Sequence, residues 1–148
     1  MPYNYSPSEI YNLINNKRNR PWKGEEEVRL AWIFALEQGL DVHFDAERSK
    51  KDSNYNNVII EFKAPGFFNG KKDSPKFIEA TEDRLLKYIL KSSKHENVLP
   101  EDFIGIAIDG EHICFCQVLN GTINSGHLIP FSEQSVGMVM EACAQNFR

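Results

Sequence analysis

Glu61 and Lys63 are charged residues inside a run that otherwise has the composition of a buried β-strand, NVIIEFKAPG at positions 57–66. Alternate residues of a strand lie on the same face. We therefore expect Glu61 and Lys63 on one face of the sheet, and Ile60 and Phe62 on the other. Charged side chains are rarely buried unless they are paired or bind a metal ion. A carboxylate and an ammonium group at this spacing could therefore take part in acid–base or metal-assisted chemistry.

Two explanations of these charges fit the strand taken by itself. In the first, the segment is an edge strand with one solvated face, where Glu and Lys are ordinary surface residues. In the second, the two charges belong to a functional site. The second explanation requires that other chemical groups of the chain converge on Glu61 and Lys63.

Further carboxylates stand where a mixed fold could bring them to the same place. Asp52 lies nine residues before Glu61, across a stretch rich in Asn, Asp and Ser that favours turns. If segments 46–52 and 57–63 pair as antiparallel strands, Asp52 lies next to Glu61 at one end of the sheet. A third carboxylate is available from Glu25–Glu27, at the start of a predicted helix. The helix dipole alone would also favour acidic residues there.

A set of carboxylate oxygens without soft ligands suits Mg²⁺, which binds one or two carboxylates together with water and phosphate oxygens. Such an ion polarises a phosphodiester and activates water. A lysine two residues after a ligand can position that water or stabilise the developing charge. Asp52, Glu61 and Lys63 therefore predict metal-dependent hydrolysis of a phosphodiester.

Composition places the chain among ordinary globular proteins. Its 148 residues are enough for one domain with a substantial core, with 41% hydrophobic and 26% charged residues. The net charge of −4 argues against a free-standing protein that grips DNA through a large basic surface. There is no run of 18 apolar residues, and the first residues lack the pattern of a signal peptide. We therefore expect a single cytoplasmic domain over residues 1–148 with no membrane contact.

Periodicity and turn signals predict an α/β domain in which a central mixed sheet is flanked by helices. Ser6 and Glu9 have the spacing of a capping box at the start of the first helix. Gly39 is expected to end the second helix, and Asp109-Gly110 is a strong hairpin signal. The expected elements are helices near 6–17, 25–38, 75–93 and 132–144, strands near 40–47 and 58–64, a turn-rich link at 50–57 and a hairpin over 102–121. The third helix is expected to face the core with Phe77, Ile78, Leu85, Tyr88 and Ile89.

The cysteines suggest packing rather than chemistry. Cys114 and Cys116 alternate along the second strand of the hairpin with His112 nearby, and Cys143 lies near the C-terminus. The C-x-C spacing could indicate a soft-metal site, but residues two apart on one strand rarely complete a tetrahedral zinc site, and no second Cys/His pair follows. We expect buried free thiols, as in a reducing compartment.

The stretch DSNYNNVIIEFK, which contains Asp52, Glu61 and Lys63, resembles the PD-(D/E)xK nuclease motif. Lys51 stands where the nominal motif has proline. More narrowly, the chain resembles the N-terminal nuclease domain of single-chain restriction–modification enzymes (types IIG, IIL and ISP) and of type I restriction subunits. The resemblance covers most of the chain, from about Glu25 to Phe115.

Two helical patterns of those domains have counterparts here. An E-x-x-x-R pattern before the motif maps onto Glu25 and Arg29, with Glu26 as the alternative acid because three glutamates are consecutive. A later helix often carries Q-L-x-x-Y-I. The segment RLLKYI at 84–89 matches its Tyr and Ile, and Arg84 replaces the Gln.

The resemblance implies a restriction-endonuclease-like fold with an αβββαβ core, and an endonuclease that cleaves double-stranded DNA. It implies that Asp52, Glu61 and the backbone carbonyl of Phe62 hold Mg²⁺, for which Mn²⁺ is expected to substitute. It also implies that Lys63 positions the attacking water, and that Glu25 assists through water or a second ion.

Domains of this kind cut DNA but do not choose the site. The resemblance therefore implies methyltransferase and target-recognition regions as partners, on a longer polypeptide of which residues 1–148 form the N-terminal piece. Two alternatives stay open: an inactive nuclease-like module with a binding or structural role, and a repair or junction-resolving nuclease of the same fold. The intact Asp52, Glu61 and Lys63 favour activity, because a degenerate copy usually loses one of them.

Overall fold

The computed structural model of the chain describes residues 5–16, 22–40, 53–55 and 57–145. The helices are α1 (Pro7–Asn16), α2 (Glu25–Leu40), α3 (Pro75–Ile78), α4 (Leu86–Glu96) and α5 (Glu133–Gln145), with a π-helical segment (Glu79–Leu85) between α3 and α4 and a 3₁₀ turn (Pro100–Asp102) after α4. The strands are β1 (Ser53–Tyr55), β2 (Val58–Phe62), β3 (Ile104–Ile108), β4 (His112–Leu119), β5 (Thr122–Ser125) and β6 (Ile129–Pro130).

The strands form one open mixed sheet in the order β1-β2-β3-β4-β5, and β6 pairs with the first residues of β4. β2 and β3 are parallel, and the other neighbours are antiparallel. The α/β class and the mixed central sheet flanked by helices are therefore confirmed.

Both faces of the sheet are covered, and β2 contributes to both sides. Ile60 and Phe62 pack in a core cluster with residues of α1, α2 and α5, whereas Ile59 packs with Phe77 and Leu85 from the long helix. This alternation confirms the predicted facing of the strand. Glu61 and Lys63 follow the odd-numbered face, which the long helix covers.

The start of α1 confirms the capping box. The Ser6 amide donates to Glu9 Oε1 (2.8 Å), and the Glu9 amide donates to Ser6 Oγ (3.2 Å). The expected role of Gly39 as a helix stop is wrong, because α2 continues through Gly39 to Leu40. A Cβ at Gly39 would overlap the Ile10 side chain. Glycine at this position therefore serves the close approach of α1 to α2.

The predicted strand near 40–47 has no counterpart in the described residues. Leu40 belongs to α2, and the remaining positions, 41–47, lie outside the described residues. The link expected at 50–57 is partly wrong, because residues 53–55 form β1 and pair with Val58–Ile60. Polar residues there favoured a turn, but the strand is held by main-chain hydrogen bonds that do not depend on side-chain type.

The long helix runs without a break from Pro75 to Glu96 and confirms the predicted helix, apart from its π-helical segment. Ile78 is exposed, contrary to the expectation. It lies about 100° around the helix from the buried Phe77, because an α-helix has about 3.6 residues per turn. None of the helices in the described ranges combines the length and apolar character needed to cross a membrane.

The hairpin of β3 and β4 turns at Asp109-Gly110 as predicted, with Gly110 at φ 84°. Sequence analysis missed β5 and β6. A second hairpin signal was present at Asn120-Gly121, whose φ angles of 52° and 81° match the left-handed turn that joins β4 to β5.

Candidate active site

Strand β2 carries Glu61 and ends at Phe62, directly before Lys63. It lies between β1 and β3, so the explanation of an edge strand with a solvated face is wrong. The Glu61 side chain is 0% exposed and Lys63 is 6% exposed. Two adjacent charges on one strand face are therefore removed from water almost completely.

Glu61 is held by two cations. One of its carboxylate oxygens, Oε2, lies 3.0 Å from Lys63 Nζ and 3.5 Å from Arg84 Nε. Desolvation of ions costs several kcal/mol each, and attraction between them offsets that cost only where the contacts are close. Two cationic side chains therefore lie close to the same carboxylate oxygen.

Arg84 reaches this position from the π-helical segment, which ends at Leu85. Its guanidinium carbon lies 5.5 Å from the centre of the Tyr88 ring. Its Nε atom is buried, yet the side chain as a whole is 42% exposed. π-helical turns are rare and are often found at functional sites. Sequence analysis aligned Arg84 with a glutamine but did not predict its contact with Glu61.

The loop after β2 forms a wall beside Lys63. Two ammonium groups lie close to the Phe67 ring, with Lys63 Nζ at 5.3 Å and Lys76 Nζ at 5.1 Å from the ring centre. The neighbouring Phe68 amide donates to the buried Asp109 Oδ2 (2.9 Å). Asp109 therefore fixes this loop to the β3–β4 hairpin and keeps the wall against the site.

The backbone of β2 alternates in direction along the strand. The Ile104 amide donates to the Asn57 carbonyl (2.9 Å), and the Lys63 amide donates to the Ile108 carbonyl (2.8 Å), so odd-numbered residues bond towards β3. Even-numbered residues such as Phe62 consequently direct their backbone groups to the β1 side. The Phe62 carbonyl is therefore directed to the side of β2 on which β1 lies.

The predicted helical acids begin α2, which covers the opposite face of the sheet from Glu61. A Cβ at Gly110 would lie 3.3 Å from Val28 Cγ2, which places the start of α2 at the β3–β4 turn. Glu26 forms an ion pair with Arg29, and Glu27 accepts a hydrogen bond from the Lys23 amide (2.8 Å).

In the described ranges, no three His, Cys, Asp or Glu side chains meet as a group that could hold a metal ion.

Asp52, the predicted first ligand, lies outside the described residues, directly before β1 in the sequence. β1 pairs antiparallel with β2, with Ser53 opposite Ile60. The segment expected to pair with β2, residues 46–52, lies outside the described residues, and the observed antiparallel partner of β2 is residues 53–55. The donors in the described part, a Glu61 carboxylate and a Phe62 carbonyl, are hard oxygen ligands and fit Mg²⁺ in kind. Two protein donors would complete the predicted Mg²⁺ site only if Asp52 supplied a second carboxylate.

The cysteines are free and buried, as predicted. Cys114 Sγ donates to the Gly126 carbonyl (3.4 Å), and Cys116 Sγ lies 3.5 Å from Ser125 Oγ. A hydrogen bond between the two thiols, together with burial, raises the pKa of Cys114, and the same hydrogen bond lowers the pKa of Cys116. Burial raises the pKa of Cys143 to about 12.

Comparison of the chain with protein-family models, with curated proteins and with solved structures finds no match. The case for a function therefore rests on the geometry around Glu61.

Proposed function

We propose that the chain is a Mg²⁺-dependent endonuclease domain that hydrolyses phosphodiester bonds of double-stranded DNA. The observation that carries this proposal is the buried ion pair at the end of β2, in which Lys63 Nζ lies 3.0 Å from Glu61 Oε2. An ion pair in this position is weak evidence for stability, because apolar residues of similar volume usually stabilise a core as well or better. Charges that are buried without a gain in stability are instead candidates for a functional site.

The register of β1 supports Asp52 as the second carboxylate. Ser53 lies opposite Ile60. If the pairing continues by one residue beyond the described part, Asp52 would lie opposite Glu61. The Phe62 carbonyl faces that side of the strand. Asp52, Glu61 and this carbonyl would then hold the Mg²⁺, as the resemblance to PD-(D/E)xK nucleases implies.

When bound, the ion would polarise the phosphodiester and offset charge in the in-line displacement. Lys63 is a donor only, since its ammonium group has three N–H bonds and no acceptor. Its Nζ is oriented by Glu61 and by the Phe67 ring, and can hold the attacking water while stabilising the developing negative charge. The start of α2 lies at the β3–β4 turn, which is at the end of the sheet where the Lys63 amide donates to Ile108. From the edge of the sheet at that end, Glu25 would assist through water or a second ion.

The net charge of −4 suits a module whose DNA grip lies elsewhere. We therefore extend the proposal to a cleavage domain of a restriction–modification enzyme, with methyltransferase and target-recognition regions as partners on the same polypeptide. A repair or junction-resolving nuclease of the same fold would share the chemistry and differ in substrate.

One observation favours a second candidate, an inactive module that uses the same fold for binding. Arg84 already contacts the carboxylate oxygen that Lys63 contacts. A carboxylate that already contacts two cations can be held in the core without a metal ion.

Calorimetric titration of Mn²⁺ into the chain tests the proposal directly. We expect binding by the parent chain, loss of binding by Asp52→Ala, and unchanged binding by Asp102→Ala, which removes an exposed carboxylate from the 3₁₀ turn. Binding by Asp52→Ala as tight as by the parent would disprove the assignment of Asp52. No binding by any folded form would favour the inactive module.

A second variant separates metal binding from chemistry. Lys63→Ala is expected to bind Mn²⁺ but to abolish DNA cleavage by the complete enzyme, because it removes the group that positions water and leaves the oxygen ligands. Undiminished cleavage would contradict the role given to Lys63.

A further inference from the structure

Lys76 is a second lysine that lies close to Lys63 of the candidate site. Lys63 Nζ is 5.3 Å and Lys76 Nζ is 5.1 Å from the centre of the Phe67 ring. Because both distances are measured to the same point, the two nitrogens can be no farther apart than the sum of 5.3 Å and 5.1 Å. Lys63 is buried, whereas Lys76 is exposed. The site therefore has an accessible cation next to its buried one.

Three contacts attach the loop that carries Phe67 to the helix that carries Lys76. Ser74 Oγ donates to the Phe68 carbonyl (3.1 Å) and accepts from the Phe77 amide (3.2 Å). The Phe68 and Phe77 rings also pack edge to face, with their centres 5.2 Å apart. The backbone of Lys76 is therefore held beside Phe67 by buried contacts.

Helix stability does not explain a lysine at this position. Lys76 is the second residue of the helix that runs from Pro75 to Glu96, and the dipole of a helix disfavours a cation in its first turn. Among the described residues, no carboxylate forms an ion pair with its ammonium group. The Phe67 ring adds only a weak attraction at an exposed position. An anion bound from solution would give Lys76 an ionic partner.

We infer that Lys76 binds the DNA phosphate next to the one that is hydrolysed, on the same strand. Lysine binds phosphate as a point charge, so it needs proximity rather than a fixed plane. Consecutive phosphates of one strand are offset by only about 3.4 Å along the helix axis, so two ammonium groups this close can contact neighbouring phosphates. The inference rests on the proposed function, because it requires Lys63 to lie at the phosphate that is hydrolysed.

Two oligonucleotides that differ by one phosphate test this inference. The dinucleotide d(TpT) has one phosphodiester, and the trinucleotide d(TpTpT) has two. Titration of each with the chain in the presence of Mg²⁺, followed by ³¹P NMR, gives both affinities. The variants are Lys76→Gln, which removes the charge, and Lys76→Arg, which keeps it. The matched control is Lys91→Gln, which removes an exposed cation about 22 Å further along the same helix.

We expect the parent chain to bind d(TpTpT) about fourfold to tenfold more tightly than d(TpT). A factor of about two follows from the choice of two phosphates, and an exposed ion pair supplies a further factor of about two to five. Lys76→Arg and Lys91→Gln should keep this preference. Lys76→Gln should reduce it to about twofold and leave the affinity for d(TpT) unchanged.

The preference for the longer oligonucleotide decides the outcome. If Lys76→Gln keeps it, the inference is overturned and Lys76 is only a packing partner of Phe67. Its absence from a parent chain that binds d(TpT), or its loss in Lys91→Gln as well, would also overturn the inference. Failure of the parent chain to bind either oligonucleotide would instead overturn the proposed function, and the inference with it.

Discussion

Glu61 illustrates how much a buried charge depends on its neighbours. Its carboxylate is fully buried, and Lys63 Nζ and Arg84 Nε lie close to the same oxygen. Removal of one member of such a group leaves an uncompensated charge, which typically costs about 3–5 kcal/mol. Replacement of the charges together by apolar residues removes the cost of desolvation as well as the attraction.

The stability of the domain should therefore respond differently to single and double substitutions. Glu61→Leu leaves Lys63 buried without its carboxylate, and we expect a loss of about 3–5 kcal/mol in the free energy of unfolding. Lys63→Met should cost less, because Arg84 still compensates Glu61. The double variant Glu61→Leu/Lys63→Met should regain most of the loss expected for Glu61→Leu, because Lys63 is gone and Arg84, whose side chain is 42% exposed, can turn to water.

Urea unfolding of the parent, both single variants and the double variant measures these free energies. The cycle also separates stability from function, because the double variant should lose Mn²⁺ binding while remaining folded. A double variant as unstable as Glu61→Leu would mean that the ions stabilise the fold in their own right, as in the inactive module.

Cys143 predicts a specific pH dependence of stability. Its thiol keeps its proton in the folded chain up to a pKa of about 12, whereas an unfolded chain loses it near the ordinary value of 9.0. Between these values the unfolded state binds fewer protons, so ionisation favours unfolding. This thiol should lower the free energy of unfolding by up to about 1.4 kcal/mol per pH unit above pH 9.

Urea unfolding of the parent chain and of Cys143→Ala at several pH values from 8 to 10.5, under reducing conditions, measures this contribution. Lysine and tyrosine side chains titrate in both chains, so the informative quantity is the difference between the two slopes. The stability of Cys143→Ala should fall less steeply above pH 9. Parallel curves would contradict the assignment.

At the scale of elements, the β3–β4 hairpin supports the site through one residue. Asp109 accepts hydrogen bonds from the Phe68 amide through Oδ2 (2.9 Å), and from the Glu111 (3.0 Å) and His112 (2.8 Å) amides through Oδ1. It therefore shapes its own turn and holds the loop that carries Phe67 against Lys63. Carboxylates that accept several backbone N–H bonds leave costly unsatisfied donors when they are removed.

Asp109→Ala should lower the free energy of unfolding by about 3 kcal/mol or more, since three amide donors lose their acceptor. Asp109→Asn should cost less, because its carbonyl can still accept at the turn while its amide nitrogen cannot accept from Phe68. Asp102→Ala, at an exposed position, is the matched control. Urea unfolding of the three variants should give that order, and equal losses for Asn and Ala would argue against the bond to Phe68.

The sequence predicted those elements whose signals are local. The capping box at Ser6 and Glu9, the hairpin at Asp109-Gly110 and the alternation around Glu61 all depend on residues close in the chain, and each is observed. Gly39 was misassigned because its role depends on Ile10 of another helix. The contact of Arg84 with Glu61 spans 23 positions and requires the π-helical winding, which no periodicity indicates.

At the scale of the whole molecule, the sheet explains why a site could form at this strand. Helices cover both faces, so the charged residues of β2 cannot be solvated as they would be at an edge. They are buried because β2 lies inside the sheet, between β1 and β3. The sequence of the strand by itself does not reveal this position. The parallel pairing of β2 with β3 sets this position, because it requires the long helix to cross the sheet between them.

Metal binding at such a site should stabilise the whole domain. A ligand that binds only the folded state adds about 2.7 kcal/mol at a hundredfold excess over its Kd. For a domain of this size that corresponds to a rise in Tm of about 5–10 °C. Asp52→Ala should show no rise with Mg²⁺, whereas Asp102→Ala should respond like the parent chain. Thermal unfolding followed by circular dichroism over a series of Mg²⁺ concentrations measures the effect, and an equal rise in all three chains would indicate non-specific ion binding away from Glu61.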